Sequence, residues 1–283
     1  MSRIDDNTPL SQLSIPGIHD SMALYCGKPA VCQKNPIIEQ LRAGIRFLDI
    51  RFQCILKQLL IVHGCTPQFD YFDSVAEDVS IFLRAQNQET VIMRLKIELF
   101  ENSDAYTVVM NTIKKHFVIW WKGESLPTMS DARGKLIILQ EFKGNRLGIT
   151  YSSDLLDISD DYKVDNINTM WNNIQNHLSL AINGNMNKPF LTFTSGTGIS
   201  FINLCVIGAS CVLHIHNVDK KTMPPNYVAE RINKLLLDFL TTLTNLRSNA
   251  QLGIIAMDFP SAELIRKIIS FNSLKKVRRH SIK

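Results

Sequence analysis

Three ionisable side chains end short apolar runs in the first quarter of the chain: His19, Arg51 and His63. Two histidines and a fixed cation are the groups that cleave a phosphodiester. One histidine takes a proton from the nucleophile, the other protonates the leaving group, and the cation holds the phosphate. The types and spacing of these residues therefore indicate acid–base chemistry at phosphorus.

Further polar residues end apolar runs in the same way. They are Asp20, Asp49, Lys96, Glu98, Glu141, Thr194, Ser195 and Asp258. Burying so many polar groups without partners is costly, so packing alone does not explain them. Interior ion pairs, Asp49 with Arg51 and Lys96 with Glu98, are the structural alternative. Asp258 is a candidate for orienting a histidine.

The elements that must position these groups alternate between strands and helices. Continuous apolar runs predict buried strands at residues 10–15, 47–52, 59–62, 90–97, 135–142, 190–193, 206–215 and 253–259. Helical periodicity predicts helices at residues 35–43, 73–86, 103–116, 167–182, 226–246 and 261–271. This alternation indicates α/β architecture, in which working residues lie at strand carboxyl ends. Because two segments are irregular, we expect a distorted or incompletely closed (β/α) barrel of the TIM type.

Composition favours a single domain over residues 1–283. The chain has 283 residues, 45% of them hydrophobic, and a net charge of +5, which suits one α/β barrel. We expect a core over about residues 10–272 and a basic, solvated tail over residues 273–283. No signal peptide or apolar run of about 20 residues is visible. We therefore expect a soluble monomer, either secreted or cytoplasmic, with no nucleic-acid partner.

Cysteine and histidine spacing predicts no metal centre. The six cysteines form no Cys-x-x-Cys pair, so a structural zinc site is not expected. Disulfides are permitted, and Cys54 and Cys65 flank a probable hairpin, but free buried thiols are the favoured interpretation. His214 and His216 share a strand face without a third ligand. We predict neither metal nor cofactor.

Five short motifs occur in a characteristic order, at residues 14–21 (SIPGIHDS), 44–51 (GIRFLDIR), 62–64 (VHG), 89–96 (ETVIMRLK) and 131–136 (DARGKL). They resemble the X-domain superfamily of phosphatidylinositol-specific phospholipase C, most of all its bacterial, single-domain, metal-independent branch. The likeness covers about residues 10–142 and returns at residues 160–164, 190–198 and 253–259. It implies cleavage of phosphatidylinositol to diacylglycerol and inositol 1,2-cyclic phosphate.

The resemblance also implies catalytic roles. His19 resembles the general base that deprotonates the inositol 2-hydroxyl, with Asp258 orienting it. His63 resembles the general acid that protonates the departing diacylglycerol oxygen, assisted by Asp20. Arg51 resembles the cation on the phosphate oxygens.

The positive charge of Arg51 is relevant to whether the reaction needs calcium. In the calcium-dependent relatives a metal-ligand carboxylate stands where Arg51 stands, and another stands near Lys96. Cations at both places imply catalysis without calcium, because a guanidinium also offsets negative charge on the phosphate.

The headgroup contacts implied by the resemblance involve Lys96, Asp160 and Tyr162, and we include Asp49 and Glu141 among the substrate-binding residues. Glu141 departs from the bacterial pattern, in which an arginine faces the inositol. A carboxylate there alters hydroxyl recognition and repels phosphate on the ring. Phosphorylated phosphoinositides are therefore the less expected substrates.

Contact with a membrane containing phosphatidylinositol is expected at two segments. Residues 199–207, with Phe201 and Ile202, and residues 22–38 are apolar enough to enter lipid or to form core. Two other functions stay open. One is an enzyme of the same design acting on another phosphodiester, which Glu141 favours. The other is a catalytically silent lipid-binding module, against which the complete set of catalytic residues argues.

Overall fold

One sheet and seven helices make up the part of the chain that a computed structural model describes, residues 1–117, 119–184, 188–200, 205, 209 and 223–272. The strands are β1 (Ser14–Ile18), β2 (Phe47–Ile55), β3 (Gln58–His63), β4 (Thr66–Tyr71), β5 (Val91–Ile97), β6 (Trp120–Trp121), β7 (Leu136–Glu141), β8 (Ile149–Thr150), β9 (Asp157–Ser159), β10 (Phe190–Phe193) and β11 (Gly253–Met257). The helices are α1 (Ile37–Ala43), α2 (Phe72–Ala85), α3 (Ala105–His116), α4 (Met129–Ala132), α5 (Ile167–Asn183), α6 (Pro225–Leu246) and α7 (Ala262–Ser270).

The sheet follows the order β6-β7-β5-β2-β1-β11-β10-β9, and every pairing along this path is parallel. Strand β8 pairs with β7, and the antiparallel β3–β4 hairpin extends from β2. Within the described residues no pairing joins β8 or β6 to β9. The architecture is the incompletely closed β/α barrel that the sequence predicts.

Alternate residues of the strands face two different hydrophobic clusters. In β11, Ile254 and Ala256 pack inside the curled sheet together with Phe193. Ile255 and Met257 pack outward against α5, α6 and α7. A third cluster packs α1, α2 and α3 against the outer face of β2, β5 and β7. Because both faces are buried, these strands have continuous apolar sequences.

Gly17 allows β1 to lie between its neighbours. A Cβ atom at this position would be 2.8 Å from Cδ1 of Phe47 and 3.2 Å from the carbonyl oxygen of Ile255. Only glycine permits this approach without displacement of a neighbour. The close fit fixes the exit of β1, which carries His19.

Several expectations need correction. Residues 10–15 contain a 3-10 turn at Leu10–Gln12, because Leu10 bonds to the loop carbonyl of Pro127 (2.9 Å), and the strand begins at Ser14. The sequence gives no signal for α4, β6, β8 or β9, which have two to four residues each. Strand β4 is missed because it is polar and contains Pro67. The tail at 273–283 and, apart from residue 209, the predicted strand at 206–215 lie outside the described residues.

The expectation of free thiols is wrong for Cys65, which forms a disulfide with Cys205 across a sequence separation of 140 residues. Cys26 is disulfide-bonded as well. Cys32 and Cys54 are free and buried. The hairpin neighbours Cys54 and Cys65 therefore do not pair with each other.

Candidate active site

The predicted catalytic residues meet at the carboxyl ends of the parallel strands. In the sheet register, Ile18 lies opposite both Met257 and Leu48. The next residues along β1 and β11 are therefore neighbours, which brings together His19 and Asp258 from opposite ends of the chain.

His19 and Asp258 form a buried pair. Nδ1 of His19 lies 2.9 Å from Oδ1 of Asp258. Burial, followed by the charge of Arg51, lowers the pKa of His19 well below its usual value. Burial, followed by the charge of Asp20, raises the pKa of Asp258. Both shifts favour the neutral forms, so His19 has a nitrogen lone pair available to accept a proton.

The second histidine faces the first across the site. The rings of His19 and His63 lie edge to face with centroids 6.3 Å apart. Nδ1–H of His63 donates to the carbonyl oxygen of Ala30 (2.7 Å), and Nε2 lies 3.7 Å from Oδ2 of Asp20. The backbone bond fixes the ring so that Nε2 is directed toward the Asp20 carboxylate.

The carboxyl group of Asp20 lacks the hydrogen bonds that its burial would require. It is fully buried, and neither carboxylate oxygen has a hydrogen-bond partner among the described residues. Nε of Arg51 is 3.9 Å from Oδ2. Burial raises the pKa of Asp20 to about 6, although the charges of His63 and Arg51 oppose the rise. The carboxyl is thus poised to exchange a proton near neutral pH.

Charged residues of β2, β5 and β7, together with Glu98 just after β5, form a row of alternating charge on the inner face of the barrel. The row runs Lys96, Glu98, Arg51, Asp49, Arg94, Glu141, with successive closest N–O distances of 3.1, 3.3, 2.9, 3.3 and 2.6 Å. The parallel register produces it, since Asp49 lies opposite Arg94 and Arg51 lies opposite Lys96. The row therefore fixes the phosphate-binding candidate, Arg51, within a network of opposite charges.

Asp49 lies at the centre of this row. It is fully buried, and its oxygens accept from the side chains of Arg51 and Arg94 and from the backbone N–H of Asp20. Burial opposes its ionisation, but the two guanidinium groups lower its pKa well below the usual range. Asp49 is thus bonded to three protein groups, and its role as a headgroup contact stays a prediction.

Arg94 is the residue that sequence analysis missed. Its Nε donates to Oε2 of Glu141 (2.6 Å), and its guanidinium lies 4.2 Å from the ring centre of Tyr151. The signal was an arginine two residues before Lys96 in an otherwise apolar strand, hence on the same inner face. Glu141 is therefore part of an ion pair and does not present a lone negative charge.

The other predicted headgroup residues lie at the rim. Asp160 and Tyr162 follow β9 and line an open groove of about 640 Å³. Tyr162 is half exposed, and Asp160 interacts electrostatically with Arg51 and Arg94. The rim is thus within electrostatic reach of the charged row.

The predicted membrane residues Phe201 and Ile202 lie outside the described residues, as do His214 and His216. In the second predicted segment, the exposed ring of Tyr25 packs against exposed Phe69 of β4, with centroids 6.0 Å apart. Two backbone N–H groups of this segment, those of Leu24 and Tyr25, donate to the Gln68 side chain (both 2.9 Å). None of the helices in the described part of the chain is both long and apolar enough to cross a membrane.

Known proteins match this chain in sequence. The model of the family described as phosphatidylinositol-specific phospholipase C, X domain, matches residues 7–142. A 1-phosphatidylinositol phosphodiesterase of Listeria monocytogenes is 31% identical, and the alignment covers 96% of this chain and 84% of that protein. A Staphylococcus aureus protein of the same name is 24% identical, over 66% of this chain and 61% of that protein.

Solved structures share the fold. Phosphatidylinositol-specific phospholipase C from Listeria monocytogenes has a TM-score of 0.82 and 28% identity, covering 97% of this chain and 98% of that one. The Staphylococcus aureus phosphatidylinositol-specific phospholipase C has a TM-score of 0.75 at 18% identity, covering 96% of each chain. The predicted TIM-type barrel is thereby confirmed. Since the Listeria relative aligns with nearly all of the sequence and the family model spans both histidines of the site, this chain belongs to the phosphatidylinositol-specific phospholipase C X-domain family.

Proposed function

We propose that the chain cleaves phosphatidylinositol to diacylglycerol and inositol 1,2-cyclic phosphate without a metal ion. The observation that carries the proposal is the convergence of His19, His63 and Arg51 at one end of the barrel. Membership of the family and the names of the bacterial relatives supply the substrate class.

The geometry supports a two-histidine reaction. His19, held by Asp258, takes the proton of the inositol 2-hydroxyl, and that oxygen attacks phosphorus to form the cyclic ester. The bond from phosphorus to the diacylglycerol oxygen breaks, and Nε2 of His63 donates a proton to that oxygen. Nucleophile and phosphorus belong to one molecule, so ring closure benefits from proximity.

Arg51 and Asp20 supply the charge balance. Arg51 is held by Asp49 and Glu98 and offsets the negative charge that develops on the phosphate oxygens. Asp20 lies on the Nε2 side of His63 and stabilises the protonated ring before transfer. The 3.7 Å separation shortens when substrate closes the site, as catalytic contacts commonly do.

Lys96, Asp160, Tyr162 and Glu141 are the proposed headgroup residues, and Asp49 is assigned instead to holding Arg51. Oε2 of Glu141 is bonded to Arg94, and the side chain is about a third exposed. Glu141 can therefore accept a hydrogen bond from a ring hydroxyl while its charge is largely balanced. This arrangement suits a neutral polyol ring without further phosphates.

In this proposal the chain is a monomer with a single domain, and it binds peripherally to the surface of a membrane. The exposed Tyr25–Phe69 pair contributes to membrane contact, in addition to Phe201 and Ile202, which the sequence predicts for this role. The Cys65–Cys205 disulfide favours a working place in an oxidising compartment.

The test is release of inositol 1,2-cyclic phosphate from phosphatidylinositol vesicles in excess EDTA. His19→Ala and His63→Ala should each lower kcat by about 10²–10⁴-fold. His116→Ala is the matched control, because His116 bonds to Asp73 on the outer helices and should leave activity unchanged. Activity that needs added calcium, or that survives either active-site substitution, contradicts the mechanism.

Glu141, a carboxylate where the resemblance implies an arginine, favours a second candidate: the same two-histidine acid–base catalysis on a different phospholipid, with water as the nucleophile where the lipid has no neighbouring hydroxyl. Vesicles of phosphatidylcholine and of sphingomyelin, assayed in parallel, distinguish the two. Cleavage of either of these lipids, with phosphatidylinositol left intact, supports the second candidate.

A further inference from the structure

A free cysteine lies beside the catalytic histidine and its carboxylate. One ligand atom each of His19, Cys32 and Asp258 lie within 4.8 Å of one another, and all three residues are buried. The sulfur of Cys32 is also 4.0 Å from Nδ1 of His63. The proposed reaction uses both histidines and Asp258 but not the thiol.

The backbone holds this cysteine in place. The N–H of Cys32 donates to the carbonyl oxygen of Ala23 (2.9 Å), and the N–H of Phe259 donates to the carbonyl oxygen of Cys32 (3.2 Å). The next side chain, Gln33, donates to the carbonyl oxygen of His19 (2.8 Å) and lies 3.4 Å from Oδ1 of Asp258. These bonds keep the three candidate metal ligands close to one another at the carboxyl ends of β1 and β11.

The ligand types suit a thiophilic divalent cation. Zinc binds cysteine sulfur at about 2.3 Å, histidine nitrogen at about 2.0 Å and carboxylate oxygen at about 2.0–2.2 Å, in tetrahedral geometry. Ligand atoms then lie about 3.3–3.6 Å apart, so any separation near the 4.8 Å limit must shorten by roughly 1 Å on binding. Three protein ligands leave the fourth position for water. Calcium and magnesium prefer oxygen ligands only, and this set does not suit them.

The local charge also favours a cation. Asp258 is one of the ligands, and the fully buried Asp20 lacks hydrogen-bond partners among the described residues. Before binding, the neutral imidazole, thiol and carboxylic acid carry no net charge. Loss of the thiol and carboxyl protons to solvent gives the trio a charge of −2, which a divalent cation brings to zero.

We propose that His19, Cys32 and Asp258 form an inhibitory site for a thiophilic divalent cation such as Zn²⁺. The cation takes the imidazole lone pair that would accept the hydroxyl proton, so catalysis stops while the fold is unchanged. Inhibition rests on the proposed role of His19 as the base. Binding of the metal does not rest on it.

The first measurement is direct titration of the metal-free full chain with Co²⁺. The parent protein should show the near-ultraviolet charge-transfer band of a cobalt–thiolate bond. Cys32→Ser should lose the band, and Cys54→Ser, the matched control at the other free buried cysteine, should keep it. No thiolate band in the parent, or an unchanged band in Cys32→Ser, overturns the proposal. Because cobalt binding is read by absorbance, it separates failure of this site from failure of the proposed activity.

The second measurement is inhibition of phosphatidylinositol cleavage by Zn²⁺, reversed by EDTA. Cys32→Ser and Cys32→Ala should stay active without metal and need at least about tenfold more Zn²⁺ for half inhibition. Circular dichroism and metal-free activity show which of the two variants is folded. Equal Zn²⁺ sensitivity of the parent and a folded Cys32 variant overturns the proposal.

Discussion

Replacement of Arg94 by Met tests which carboxylate this guanidinium stabilises. Arg94 is closer to Glu141 (2.6 Å) than to Asp49 (3.3 Å), but Glu141 is about a third exposed whereas Asp49 is fully buried. At an effective dielectric constant of about 20, charges 3.3 Å apart attract by about 5 kcal/mol. Near the value of water, about 80, charges 2.6 Å apart attract by only about 1.6 kcal/mol. Burial should therefore outweigh distance.

Part of the attraction between Arg94 and Asp49 offsets the cost of burying their charges. The expected loss of unfolding free energy is therefore smaller than the Coulomb attraction of about 5 kcal/mol. Arg94→Met should lower the free energy of unfolding by about 3 kcal/mol, the lower end of the usual cost of removing one partner of a buried pair, because Asp49 keeps its bonds to Arg51. Glu141→Gln should cost about 1 kcal/mol or less, as for a partly exposed pair. Arg94→Lys, the matched control, keeps the charge without the planar fork and should fall between them.

Urea unfolding followed by tryptophan fluorescence measures these losses, with unchanged m values as the check on two-state behaviour. A double-mutant cycle of Arg94→Met with Asp49→Asn should give a larger coupling energy than the cycle with Glu141→Gln. The reasoning is refuted if Glu141→Gln is as costly as Arg94→Met, or if Arg94→Met costs less than about 1 kcal/mol.

Three further changes test other parts of the structure. The carboxyl of Asp20 has a pKa of about 6 in the folded protein and 3.8 in its ordinary state. The folded protein therefore holds this proton more tightly, and the free energy of unfolding falls as the pH rises from about 4 to about 6. Asp20→Asn should therefore stabilise the protein by roughly 3 kcal/mol at pH 7, with no gain at pH 3, while activity is lost; an equal gain at both pH values contradicts this. Gly17→Ala should cost about 1–3 kcal/mol in urea unfolding, because its Cβ meets Phe47, and a cost near zero would show that β1 can shift. Cys65→Ser should cost about 2–4 kcal/mol through loss of the bond to Cys205, and an equal loss in the reduced parent would confirm the cause.

Short stretches of sequence were enough to predict the long strands and the polar residues that follow them. Continuous apolar runs identified the long parallel strands, and polar residues at their ends identified both His19 and Asp258. Contacts between residues far apart in the sequence could not be predicted in this way. The ion pair of Arg94 with Glu141 joins residues 47 positions apart, and only strand register shows that they meet. The disulfide of Cys65 was missed for the same reason, since its partner is 140 residues away.

The barrel's central pairing has a consequence for the order of folding. Strand β1, near one end of the chain, pairs with β11, near the other, and His19 meets Asp258 across a separation of 239 residues. Such long-range pairing forms late, because loop-closure entropy must be overcome before the contact gives stability. A chain in which β11 has not docked has no oriented base. During synthesis, therefore, a nascent chain has no competent site for cleaving lipid until β11 and Asp258 have emerged.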